Sequence, residues 1–127
     1  MGKPILAVAV ILFLSACATG TPRAPGTPRP NQNLITRTEI DGAGPSSAYD
    51  LIQKLRPMWL RERGATSFTE ETDLAVYVDG SRVGGRSELR NFYTYNIETV
   101  EFLDARRATN RFGPGHVNGA ILINMRS

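Results

Sequence analysis

The chain has 127 residues, with 15 basic and 12 acidic side chains and a formal net charge of +3. Residues 34–127 hold 37 apolar side chains among 94, an ordinary globular fraction, which argues for one small folded domain and against disorder. Eight strands of about ten residues would consume most of that length, so a transmembrane β-barrel of its own is excluded.

The first element in chain order is a leader. Lys3 precedes the 12-residue apolar stretch Ile5–Ala16, which falls short of the roughly 20 residues that span a bilayer core. The only cysteine follows at once, in Leu14-Ser15-Ala16-Cys17. This tetrapeptide resembles the bacterial lipobox, with small residues just before the cysteine. The resemblance implies a signal over residues 1–17 that is cut before Cys17, with a diacylglycerol on its thiol and an acyl chain on its new amine. Several acyl chains on one residue suffice for stable anchoring to the membrane. Ala18 stands where an aspartate tends to retain Gram-negative lipoproteins at the inner membrane. The chain therefore resembles the outer-membrane class, lipid-anchored and facing the periplasm. Cys17 is the one lipidation site expected. Its modification leaves no thiol for a disulfide, a cysteine-ligated metal or a cysteine nucleophile.

Residues 18–33 carry four prolines and no large apolar side chain, and read as a semi-extended linker. At about 3.1 Å per residue it would reach roughly 50 Å and hold the domain away from the membrane. The domain is expected over residues 34–127. Ala48, Leu51, Ile52 and Leu55 mark one face of a helix. Ser47 and Asp50 have capping-box spacing, and Pro57 disfavours helix at Arg56. Leu74–Val78 reads as a buried strand, Asp79-Gly80 as a two-residue turn, and Ser81–Val83 as the returning arm of a hairpin. Ser87–Phe92 suits a single helical turn. Thr99–Leu103 reads as a strand, Asp104 as the cap of a helix over Ala105–Phe112, and Gly113 as its stop. Ala120–Met125 is the last strand. Strands alternating with helices predict an α/β or α+β sheet with helices packed on it.

The order of these pieces resembles the plug domain of TonB-dependent outer-membrane receptors. Ser47–Pro57 is similar to the plug's first helix and proline, and Val76-Tyr77-Val78-Asp79-Gly80 to its strand ending in Asp-Gly. Ile97–Leu103 resembles its Ile-Glu-x-Ile-Glu-Val-Leu strand. Ala108–Asn124 resembles its closing stretch, a helix ending in aromatic-Gly, a glycine-rich turn and a strand. The likeness covers about Ile35 to the end. Asp104-Ala105-Arg106 stands where the family usually has Arg-Gly-Pro, and residues 18–33 lack a convincing TonB box. There is no barrel in this sequence, so the resemblance implies the plug fold, the α+β form with a small mixed sheet and short helices, and not transport.

The remaining residues point away from chemistry. A phosphate loop would open a helix directly after a strand, whereas Gly113-Pro114-Gly115 and Gly119 precede a strand and read as its bend. His116, the only histidine, reads as a turn or surface residue, because one histidine without cysteine or clustered carboxylates does not make a metal site. Glu98 and Glu101, three apart on a strand, point to opposite faces and form no acid–base pair. No Gly-x-Ser-x-Gly elbow is present. The 13 arginines are scattered, which reads as solvated surface with local ion pairs and speaks against nucleic acid as a partner. Trp59, beside Met58 and Leu60, reads as core. Should a partner surface exist, this segment and Tyr93/Tyr95 supply it, because aromatics are enriched at interfaces. The expectation is a non-enzymatic outer-membrane lipoprotein, without cofactor or metal, that binds an envelope protein. The alternative is a periplasm-facing carrier of a small ligand on the same fold.

Overall fold

The computed structural model describes Gly2, residues 31–61 and residues 73–127. The leader with Cys17, the linker up to Pro30 and most of the polar segment 65–73 lie outside the described residues. The chain forms a small mixed α+β domain: β1 (Leu34–Ile35), α1 (Arg37–Ala43), α2 (Ala48–Leu55), β2 (Ala75–Val78), β3 (Ser81–Gly84), β4 (Ile97–Leu103), α3 (Ala105–Phe112) and β5 (Ala120–Met125). Short 3-10 turns occupy Pro57–Leu60, Arg86–Asn91 and Thr94–Asn96. The five strands make one sheet in the order β1-β4-β5-β2-β3. Only the β2–β5 pair is parallel; β1–β4, β4–β5 and β2–β3 are antiparallel.

β5 lies at the centre and is apolar on both sides, as a strand covered on both faces must be. Ile121 and Ile123 face a large core shared with Ile35, Ile40, Leu51, Ile52, Trp59 and Val100. Ala120 and Leu122 face a smaller one with Ala75, Tyr77, Leu103 and Ala108. The period of two along the strand therefore assigns one residue set to the layer of α1 and α2 and the other to α3.

Local chemistry explains most boundaries. The Ser47 hydroxyl accepts from the Asp50 amide and donates to the Asp50 carboxylate at 2.8 Å, starting α2. Arg56, at φ −142° and ψ 58°, has left the helical geometry, and Pro57 opens the next 3-10 turn. Asp79 and Gly80 both have positive φ, 47° and 87°, the geometry of a two-residue hairpin turn whose twist matches its strands. The Asp79 carboxylate also accepts from the Met125 amide, tying the turn to β5. The Asp104 side chain caps α3 by accepting from the Arg107 amide.

β1 and α1 were not among the expected elements. Ile35 and Ile40 are their only fully buried side chains of size, too few to mark a periodic face. The signal present was a cap. Thr36 and Glu39 form a reciprocal capping box, and Arg56 adds an ion pair to Glu39 at 2.8 Å. The carbonyls of Asn31, Gln32 and Asn33 accept from Arg56, the Trp59 indole and the Phe102 amide.

Partial burial alone would raise the Glu39 pKa, but the Thr36 amide and the Arg56 guanidinium outweigh it and hold the carboxyl below its ordinary value. A depressed carboxyl contributes stability above its unfolded pKa and loses it as pH falls through the folded value. Glu39→Ala is therefore expected to destabilise the domain by about 1–2 kcal/mol at pH 7, the loss of a cap and a charge-assisted bond. In urea melts the gap to wild type should close as the pH drops below the unfolded carboxylate value, about 4.3. A gap unchanged at pH 3 would remove the charge from this account.

Candidate functional site: an open aromatic surface

The stretch Phe92–Thr94 zips against the turn that precedes α2. The Ala48 amide donates to the Phe92 carbonyl at 2.7 Å, the Thr94 amide to the Ser46 carbonyl at 2.9 Å, and the Ser46 amide to Thr94 Oγ1 at 3.0 Å. Ser47 and Tyr93 form an isolated antiparallel bridge. The chain is extended at Phe92 and Tyr93 and enters the 3-10 turn at Thr94, and its side chains fall alternately inside and outside. Phe92 packs on the core and Thr94 is buried, while Tyr93 and Tyr95 are 52% and 62% exposed. The two outward rings stack with centroids 5.9 Å apart and planes within 15°. Aromatic pairing of this kind fixes a broad amphipathic surface at little entropic cost.

Beside the rings lies an open depression of about 560 Å³, lined by Pro45, Ser46, Ser47, Asp50, Arg90, Tyr93 and Tyr95. Ser47 and Asp50 in this lining belong to the N-terminal turn of α2. Arg90 sits at the rim with its guanidinium 4.1 Å from the centre of the Tyr49 ring. A smaller depression of about 170 Å³ shares Pro45 and Tyr95 with it and is lined also by Arg37 and Asp41. Arg37 holds this region in register. Its guanidinium donates to the carbonyls of Thr94 and Ile97 and pairs with Asp41. That hydrogen-bonded pairing raises the Arg37 pKa and lowers that of Asp41. Sequence reasoning missed Arg37, since nothing in its neighbours shows that it bridges 57 and 60 residues to two backbone carbonyls.

The other singled-out residues separate cleanly. Trp59 is core: it is 5% exposed, stacks on Phe102 at 5.6 Å, and its indole N–H donates to the Gln32 carbonyl. Met58 beside it is 52% exposed, so the proposed partner segment splits. His116 lies in a turn, as expected, but it is 3% exposed and not a surface residue. Its Nδ1 meets the Gly113 carbonyl at 2.8 Å and its Nε2 the Tyr77 hydroxyl at 2.7 Å. A carbonyl only accepts, so Nδ1 carries a proton, and in the neutral ring Nε2 accepts from Tyr77. Phe112 stacks on Tyr77 at 3.8 Å and closes the cluster. The histidine is thus a hydrogen-bonded strut between the last turn and β2. An open depression of about 430 Å³ adjoins it, lined among others by Arg106, Asn110 and Val117.

Glu98 faces Arg126 at 3.8 Å and Glu101 faces Arg107 at 3.7 Å, so the two acids serve separate ion pairs. Among the described residues, no group of three His, Cys, Asp or Glu side chains is placed to hold a metal ion. No helix among them is long and apolar enough to cross a membrane.

The fold and this surface define a small mixed α+β domain that presents a stacked, outward-facing tyrosine pair beside an open depression. Searches of protein-family models, curated proteins and solved structures return no match to the chain.

Proposed function

We propose that the chain is an outer-membrane lipoprotein, anchored through Cys17, whose plug-like domain binds another protein of the cell envelope. The reading is non-enzymatic. It is carried by one observation: Tyr93 and Tyr95, both more than half exposed, stacked beside an open depression. Tyrosine pairs of this kind are the side chains from which binding hot spots are built. The four ordered sequence motifs and the lipobox-like Leu14–Cys17 support the plug-like and lipid-anchored parts of the proposal. The rival carrier would bind its ligand in a deep pocket with converging polar groups. The aromatic depression is open instead, with its rings facing outward, which favours a protein partner.

The test is capture from solubilised envelope membranes with the full chain as bait. Tyr93→Ala with Tyr95→Ala should lower recovery of the captured protein by at least about tenfold, the effect of losing one hot spot of 1.4 kcal/mol or more. Recovery equal to that of wild type would move the interface elsewhere. A stoichiometric small ligand found by thermal shift would replace this proposal with the carrier.

The anchor has its own expected result. Cys17→Ser lacks the thiol that takes the lipid, so the protein should persist as uncut precursor or leave the membrane fraction. Mature, membrane-bound Cys17→Ser protein would refute the lipobox reading.

A further inference from the structure

We infer that the Tyr93–Tyr95 groove is a docking site for the chain's own proline-rich segment, Pro22–Pro30. The segment reads Pro22-Arg23-Ala24-Pro25-Gly26-Thr27-Pro28-Arg29-Pro30. Its prolines at 22, 25 and 28 recur every third residue. Polyproline II has three residues per turn, so in that conformation these three prolines share one edge of the helix. Arg23 and Arg29, six apart, share a second edge. Proline-rich helices of this kind dock on exposed aromatic rings, where a preformed ligand loses little entropy.

The groove supplies both halves of that recognition. Tyr93 and Tyr95 present stacked, outward rings for the prolines, next to Pro45. Asp50 lines the same groove, and its carboxylate meets a guanidinium from the arginine edge. Arg90, the groove's own cation, is drawn over the Tyr49 ring.

Reach agrees as well. Asn31 is held at the C-terminal end of α2, where its carbonyl accepts from Arg56 at 3.3 Å. The groove lies at the N-terminal end of the same helix, at Ser47 and Asp50. The nine residue steps from Ser47 to Arg56 span on the order of 14 Å. Measured back from Asn31 at about 3.1 Å per residue, Pro28 reaches about 9 Å, Pro25 about 19 Å and Pro22 about 28 Å. The required distance falls inside that range. A linker this short gives an effective concentration in the millimolar range, so weak docking suffices to fill the groove. Docking shortens the tether, and a partner that occupies the groove releases its full length.

Trypsin reads this directly. It does not cut before proline, so Arg29–Pro30 resists and Arg23–Ala24 is the cleavable bond in the segment. The full chain in detergent micelles is digested, and the product at Arg23 is followed by mass spectrometry. Tyr93→Ala with Tyr95→Ala should speed that cut about fivefold, the factor for a segment docked four-fifths of the time. A thermal midpoint close to wild type checks that the double variant is folded. As a second readout, proline δ-proton resonances should be displaced upfield by the tyrosine rings in wild type and return to random-coil positions in Tyr95→Ala. Equal cleavage rates in wild type and the double variant overturn the inference, as do random-coil proline resonances in wild type. Protection that grows with protein concentration also overturns it, in favour of a second copy as the source of the segment. No partner protein is present in these experiments, so their outcome is separate from that of the envelope capture.

Discussion

Ile123→Ala is expected to cost about 2–5 kcal/mol, a large share of the roughly 5–15 kcal/mol by which a small domain is stable. Ile123 is fully buried and sits in the central strand between Val78 of β2 and Val100 of β4. Its side chain belongs to the larger core, beneath the layer built from α1, α2 and Trp59. A cavity there is bounded by several elements that are already tied to one another, so it cannot close by the movement of one. Leu122→Ala, on the opposite face, should fall nearer the lower end of the same range. Among the described residues the helix that covers it is α3, through Ala108 and Phe112, and one helix can settle into the space. Urea denaturation at constant m-value measures both. A cost for Leu122→Ala that exceeds that for Ile123→Ala would show that the two layers have been weighed the wrong way round.

Gly119→Ala should be nearly as damaging, although it adds a single methyl group. Gly119 has φ +84°, in the left-handed region that costs other residues about 1–2 kcal/mol. An added Cβ would also stand 2.3 Å from the backbone carbonyl oxygen of Leu103 and 3.2 Å from the Phe102 ring. That oxygen belongs to β4, which is paired to β5 at Leu103 and Ala120, so it cannot move without breaking the register. Overpacking of this kind costs about 1–3 kcal/mol, which brings the expected loss to about 2–5 kcal/mol. Gly113→Ala provides the comparison. It has a similar φ of +92° but open space around the missing Cβ, so it should show only the conformational share. Equal midpoints for the two variants would mean that the Leu103 contact relaxes at no cost.

Much of the fold was legible because the chain carries strong local signals. The Ser47 and Asp104 caps, the Pro57 stop, the Asp79-Gly80 turn and the apolar strands at residues 75–78 and 120–125 act over a few residues each. The i, i+3, i+4 pattern in α2 and the two-sided apolar run in β5 report which faces must be covered. β1 and α1 carry too little apolar pattern for that kind of reading. α1 is started by a capping box and held by Arg37 and Arg56, whose partners lie far along the chain.

The candidate site divides in the same way. The sequence by itself determined which aromatics are available for a partner surface, Tyr93, Tyr95 and Trp59 with its neighbours Met58 and Leu60. Only the tertiary structure decided that the two tyrosines face outward while Trp59 faces the core. That choice comes from the pairing of Phe92–Thr94 with Ser46–Ala48, a contact between segments more than 40 residues apart. His116 shows the converse. A lone histidine beside glycines reads as a turn or surface residue, yet it is buried because the Gly113 carbonyl and the Tyr77 hydroxyl satisfy both ring nitrogens. Local patterning specifies which residues can form an element. Whether a polar or aromatic side chain ends inside or outside depends on partners that the chain brings up from a distance.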